Sequence, residues 1–376
     1  MERDLFTEEH EDFRKMVRDF LEKEIVPQYD EWHDMVPREV FTRLGELGIM
    51  GVRLPEEFGG GGAEGFLWNA IIGEEAARAL VSLGPLRCHM DIVSPYFTRF
   101  ANDEQRKRWL PGLASGELFS AIAMTEPNTG SDLAGIRTTA RRDGDSFIVN
   151  GSKTFITSGM RADYLTVAVR TGGPGMGGVS LLVIEGDTPG LSRTALDKMG
   201  WRCSDTATLY FEDCRVPVSN LVGRENQGFM AIMLNFNQER LMLAAQAWGS
   251  ALVCYEDAFE YARSRETFGR PLIRNQVIRH KLVDMRMRIE AVKANLDLVA
   301  WRVSQKHMPI AEVCMLKNLA CTTLEWVANE AMQIFGGAGY LRGARVERIY
   351  RETKVLTIGG GSLEIMKDLA AKQLGM

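Results

Sequence analysis

The chain has 376 residues, of which 45% are hydrophobic and 25% charged, and its net charge is −5 with no long basic run. That is ordinary for a soluble globular protein and long enough for two or three domains, and it argues against nucleic-acid binding. Six cysteines, at 88, 203, 214, 254, 314 and 321, show no C-x-x-C spacing, so reduced thiols are expected rather than a disulfide framework or a metal site. The opening MERDLFTEEHEDFRKMVRDF is charged from residue 2, so neither a signal nor a transit peptide is expected, and no run of 18 apolar residues predicts a membrane span. A cytoplasmic, bacterial protein is the expectation.

In chain order, residues 1–117 read as an N-terminal helical domain, with Phe13, Val17, Phe20, Leu21 and Ile25 at helical spacing over 8–26 and the PEEFGGGG loop as punctuation. Residues 118–226 change to short β-rich runs, SFIVNGSKTFIT, DYLTVAVRT, VSLLVIEG and TATLYFEDCRV, cut by turn residues. Asn150-Gly151 predicts a hairpin. Residues 227–376 return to long helices, roughly 227–264, 274–306, 310–335 and 362–373. The class is α+β: a helical N-terminal domain, a middle β-barrel-like domain or sheet, and a C-terminal helical bundle.

The segment 229–255, FMAIMLNFNQERLMLAAQAWGSALVCY, carries only two charges, Glu239 and Arg240, in a chain that is 25% charged. So uncharged a helix reads as buried, and burial raises a carboxylate's pKa toward the range of a general base. Adjacent helix residues point about 100° apart, so a simple Glu239–Arg240 ion pair is a poor explanation. Elsewhere, Thr125, Asn128, Thr129, Gly130 and Ser131 form a small-polar loop able to aim hydroxyls and N–H groups at a ligand, or merely a turn. Arg265 suits a pyrophosphate or a solvated helix end equally well. Gly336, Gly337 and Gly339 lack the strand-to-helix context of a dinucleotide fingerprint and could be a helix C-cap.

Four segments carry a resemblance. AMTEPNTGSDLAG at 123–135, NGSKTFITSG at 150–159, SRETFGRPLIRNQ at 264–276 and QIFGGAGY at 333–340 resemble, in order and spacing, signatures of the acyl-CoA dehydrogenase family. The resemblance implies FAD. Ile122 to Ser131 would lie along the flavin ring, with Met124, Thr125 and Gly130 in contact and Ser131 touching both flavin and thioester. Phe155, Ile156 and Thr157 would cover the other side; Phe155 stands where the family often has Trp. Arg265, Thr267, Phe268, Asn275 and Gln276, and the segment Gln333 to Gly337 including Gly336, would serve the cofactor of a neighbouring subunit, which implies at least a dimer and usually a homotetramer. Ser362 and Glu364 fall on further cofactor positions. Phe229, Asn237, Arg240 and Gly361, with Ser131, match the substrate-contacting set.

The base is where the chain departs from the common pattern. The usual family glutamate would fall 27 residues after Gln333, at Gly360, within the run Ile358-Gly359-Gly360-Gly361-Ser362. Glu239-Arg240 instead matches the long-chain and isovaleryl-type arrangement, with the base on the buried helix. The resemblance implies α,β-dehydrogenation of an acyl-CoA thioester, with Glu239 removing the α-proton and flavin N5 accepting the β-hydride. The backbone N–H of Gly360 and a flavin ribityl hydroxyl would hold the enolate oxygen, and electrons would pass to an electron-transfer flavoprotein. Gly359, in place of a bulky aromatic, leaves room for branched acyl groups. An acyl-carrier-protein thioester as substrate, and an oxygen-reactive flavin oxidase or monooxygenase on the same fold, stay open at this point.

Overall fold

A computed structural model of the protein describes residues 5–32, 35–81 and 84–376. Its architecture is mixed α and β: helices first, then a β-sheet, then long helices. By its internal contacts the chain divides into two compact units. One is Met1–Gln28, Gly65–Ser82 and Asn237–Met376; the other is Tyr29–Glu64 and Leu83–Phe236.

The second unit holds the sheet. Its strands are β1 (Ser120–Ala123), β2 (Thr139–Asp143), β3 (Ser146–Thr157), β4 (Tyr164–Arg170), β5 (Val179–Glu185), β6 (Leu191–Ala195), β7 (Thr206–Pro217) and β8 (Leu221–Val222). They hydrogen-bond in the order β6-β7-β3-β2-β4-β5-β8, with β1 parallel to β4. β4 and β5 are buried on both faces. Because side chains alternate along a strand, Leu165, Val167 and Val169 enter one cluster with Phe147, Leu182 and Phe211, while Tyr164 and Ala168 enter another with Phe97, Trp109 and Leu113. The helix Asp103–Ser115, which supplies Trp109 and Leu113, begins on a capping box in which Asn102 and Gln105 satisfy each other's backbone N–H, and it stops at Gly116, φ +72°.

Asn150-Gly151 is not the expected hairpin. β3 runs straight through it, and the reversal falls between β2 and β3, after Asp143. The pair marks a bulge against β7. Asn150 accepts the Asp213 N–H at 2.9 Å and donates to the Asp213 carboxylate at 2.9 Å. Gly151 is required because a Cβ there would lie 2.7 Å from the Thr138 backbone.

In the first unit the expected C-terminal helices are Gly228–Ser264 (from residue 237 onward), Gln276–Ser304, Ile310–Phe335 and Leu363–Gln373; a further helix, Arg345–Thr353, was not anticipated. Helix Glu8–Phe20 is pinned to helix Leu67–Ala79 by Arg14, which reaches Glu74 at 2.8 Å and Glu75 at 3.2 Å, and by Arg18, 2.8 Å from Glu75. Gly249 permits close approach to that second helix: a Cβ would stand 3.1 Å from Ala77 Cβ.

Candidate active site

The candidate residues fall into two groups, one in each unit. In the β-sheet unit, β1 carries Ile122 into the loop Met124 to Ser131, which is tied down from below. Lys153, fully buried on β3, donates to the Met124 carbonyl at 2.9 Å and to Glu126 Oε1 at 2.8 Å. Glu126 also accepts the backbone N–H groups of Arg137 at 2.7 Å and Thr138 at 2.9 Å. The Thr154 N–H donates to the Thr125 carbonyl at 2.9 Å. Burial pulls the Lys153 ammonium down to about 8 against the opposing pull of Glu126. Burial would raise the Glu126 carboxyl, but the charge and hydrogen bond of Lys153 and the two N–H donors hold it below the usual carboxylate range.

On that base the ligand-facing candidates are exposed where a ligand could meet them. Gly130 and Ser131 are exposed, Thr125 and Thr157 half-buried, and Met124 and Ile156 buried as supports. Phe155 presents 70% of its surface to solvent and sits at φ +59°. A bulky residue in the left-handed region is strained, and strain of this kind gathers at ligand sites. Phe229, half-buried, packs against the helical cluster of this unit. Sequence reasoning missed Glu126 and Lys153, although Lys153 is the one charge in NGSKTFITSG and Glu126 one of two in AMTEPNTGSDLAG.

In the helical unit, Glu239, Arg240, Gly360 and Gly361 come together. Gly360 has φ +66° and Gly361 φ +106°, both left-handed and suited to glycine. A Cβ on Gly360 would lie 3.5 Å from Glu239 Oε1 and 2.6 Å from Leu243 Cδ1. The Glu239 carboxylate is therefore in ordinary contact with the bare position 360, while Leu243 takes up the room a Cβ would need. Glu239 itself is half-buried, not deeply buried as the uncharged run suggested; Arg240 is the buried member, 4% exposed. The 100° step between neighbours leaves one deeply buried and the other half-buried, and both meet the glycine loop.

Arg240 Nε donates to the Gly360 carbonyl at 3.1 Å, and its Nη1 lies 4.0 Å from Cys314 Sγ. Arg240, expected among the substrate contacts, holds the glycine loop. Lys317, fully buried on the helix Ile310–Phe335, donates to the Gly361 carbonyl at 2.7 Å. Asn318 donates to the Leu363 carbonyl at 2.8 Å. The Gly360 N–H meets no backbone acceptor among the described residues, whereas the Gly359 N–H is taken by Val355 at 2.8 Å. Asn237 Oδ1 and Gln238 Nε2, next to Glu239 in the chain, are buried without a hydrogen-bond partner among the described residues. Lys317 was missed by sequence reasoning, though it is the one basic residue in the run Ile310–Phe335.

The remaining candidates lie at the far ends of the long helices. Arg265 is exposed, and Thr267 opens a short antiparallel pairing with Arg270. Its turn puts Phe268 at φ +52° and Gly269 at φ +74°, with the Phe268 ring fully exposed. Asn275 caps the next helix, which begins at the exposed Gln276. Tyr261 stacks on Phe335 at 4.2 Å, joining this corner to the exposed Gln333, Gly336 and Gly337. Gly336 and Gly337 have open space where a Cβ would stand. Ser362 caps the last helix by accepting the Ile365 N–H, and Glu364 follows it, exposed. All six cysteines are buried thiols, no helix is long and apolar enough to cross a membrane, and no metal-holding cluster occurs among the described residues.

Comparison with known proteins agrees with this geometry over the whole chain. Residues 7–117, 121–214 and 226–375 match the N-terminal, middle and C-terminal domains of acyl-CoA dehydrogenase. The long-chain specific acyl-CoA dehydrogenase of Rattus norvegicus mitochondria is 36% identical over 99% of this chain and 88% of its own length. An acyl-CoA dehydrogenase of Bacillus subtilis is 38% identical over 98% of each. The crystal structure of acyl-CoA dehydrogenase from Geobacillus kaustophilus superposes with a TM-score of 0.97 at 40% identity, covering 100% of both chains. The protein is an oxidoreductase, a member of the acyl-CoA dehydrogenase family.

Proposed function

We propose that the protein dehydrogenates an acyl-CoA thioester to the trans-2-enoyl thioester, with Glu239 as the base that removes the α-proton. The observation that carries this reading is the Glu239 carboxylate beside Gly360, 3.5 Å from where a Cβ would be. The base common in the family would grow from position 360; here that position is bare and the Glu239 carboxylate stands in contact with it. An acyl α-proton is a weak acid, so the oxygen that gains charge needs preorganised donors. The Gly360 N–H, without a backbone acceptor, is the donor this loop offers.

The residues present fit FAD. The exposed, strained Phe155 offers an aromatic face, Thr125 and Ser131 offer small polar groups, and Gly336 and Gly337 form a corner whose Cβ positions are empty. Arg265 offers an exposed guanidinium suited to a pyrophosphate. When bound, FAD supplies an acceptor for the β-hydride at its N5 and carries the electron pair away. An electron-transfer flavoprotein is the proposed recipient. A homotetramer is the proposed assembly, supported by Val283, Met287, Leu298, Met315 and Leu319, which lie exposed on the helices Gln276–Ser304 and Ile310–Phe335.

Anaerobic titration of the flavin-loaded protein with a panel of acyl thioesters tests the reading. Bleaching of the flavin band by one acyl class identifies the substrate. Retention of normal bleaching by Glu239→Gln would remove Glu239 from the mechanism.

A further inference from the structure

Two buried cations serve one short loop. The consecutive carbonyls of Gly360 and Gly361 each accept from a cationic side chain, Arg240 Nε at 3.1 Å and Lys317 Nζ at 2.7 Å. A trans peptide is planar and its C=O and N–H point in opposite directions. Holding those two carbonyls therefore fixes the peptides on either side of Gly361, selecting one conformation for residues that as glycines are free to adopt many. Lys317 comes from a different helix than Glu239 and is fully buried. Taking an ammonium out of water to serve a single backbone carbonyl is costly, and the cost is offset only if charge nearby repays it.

We infer that Lys317 is a positioning residue for proton abstraction: by holding the Gly361 carbonyl beside Glu239 it orients the glycine loop and balances the charge of the base. The inference rests on Glu239 as the base. Charged and titratable groups acting on this cluster are Arg240 on the helix of Glu239, and Lys317, Cys314 and Cys321 on the facing helix. Burial draws the Lys317 ammonium below the ordinary lysine range, while Cys321 and Glu239 pull it back. An opposite charge nearby favours an ionised carboxylate, and Lys317 and Glu239 act on each other electrostatically. Removing Lys317 should accordingly leave the base protonated to higher pH.

The test is α-hydrogen exchange in D2O, followed by mass spectrometry, with a thioether acyl-CoA whose β-position is sulfur. Such a thioester has an α-proton to lose and no β-hydride to transfer, so the exchange reads the base alone. The α C–H bond breaks with its electron pair left on the thioester, the proton passes to the carboxylate, and a deuteron returns. Lys317→Met should slow exchange about tenfold or more near neutral pH and move the acid limb of the pH profile up by about one unit. Lys317→Arg, which keeps the charge, should retain the wild-type acid limb even if it folds less stably. An unmoved acid limb in Lys317→Met, or one displaced equally in Lys317→Arg, would overturn the inference. Should Lys317→Met not fold, a displaced limb in Lys317→Arg still decides against it. Glu239→Gln is run beside them: wild-type exchange in that variant rejects the base itself, whereas lost exchange there with a normal profile in Lys317→Met rejects only the positioning role.

Discussion

The Glu239 carboxylate stands beside the bare position 360, with Oε1 3.5 Å from the Cβ that glycine lacks. Glu239→Gln should lower flavin reduction by about two to four orders of magnitude, the usual worth of a general base. Moving the acid across, as Glu239→Gly with Gly360→Glu, should restore part of that rate, measured by stopped-flow absorbance. The recovery will be incomplete because a glutamate at φ +66° is strained by about 1–2 kcal/mol.

Gly360→Ala separates the backbone role from the acid. Its Cβ would meet Leu243 Cδ1 at 2.6 Å in a left-handed conformation. Leu243 is a flexible side chain and can give way, so a loss of about 1–3 kcal/mol in urea unfolding is expected, not failure to fold.

Gly359 is the open neighbour, with only the Val355 carbonyl, 3.3 Å away, near its absent Cβ. Bulk placed there should reach the substrate's side of the loop before it disturbs the core. Gly359→Tyr is expected to cut kcat/KM for branched acyl thioesters more than for straight-chain ones, by about tenfold or more. Equal losses for both would show that this glycine does not set acyl shape.

His89 links stability to pH. Its Nε2 faces the Leu113 carbonyl at 3.1 Å, which can only accept, so the proton sits there, and Nδ1 meets Ser120 Oγ at 3.1 Å. Burial drives its pKa from 6.5 down to about 4. Between those values the unfolded chain binds a proton that the folded chain refuses, so stability is present above pH 6.5 and is lost as pH falls toward 4. The group's share is about 3 kcal/mol across that range. Urea unfolding at a series of pH values should show the slope, and His89→Asn should flatten it.

Lys153 and Glu126 form a buried ion pair 2.8 Å apart beneath the Met124–Ser131 loop. Removing one partner leaves the other charged and buried. Lys153→Met should cost about 3 kcal/mol, softened by the two N–H groups that still reach Glu126. Lys153→Met with Glu126→Gln should recover part of this loss. Thermal unfolding of the four proteins closes the cycle, and simple additivity would mean that the two residues are not coupled.

Much of this was legible beforehand because it is local. Helix ends within two residues of Gly228–Ser264, Gln276–Ser304 and Ile310–Phe335 follow from apolar spacing, caps and breakers. The bareness of position 360 and the isolation of Glu239 in an uncharged run are likewise properties of the chain as written. The Asn150-Gly151 turn signal misled because its outcome was decided across the sheet, where Asp213 takes both ends of the Asn150 amide.

What the sequence by itself determined is the family and the succession of helices, sheet and helices. Only the tertiary structure decided that the buried Arg240 and the half-buried Glu239 both meet the glycine loop, and that Lys317 and Lys153 are buried cations that hold the loops in place. The reason is physical. Propensity and spacing act between neighbours in the chain, whereas a buried charge is settled by whichever carbonyl or carboxylate the fold brings within hydrogen-bond reach, here from 44 residues away for Lys317 and 27 for Lys153.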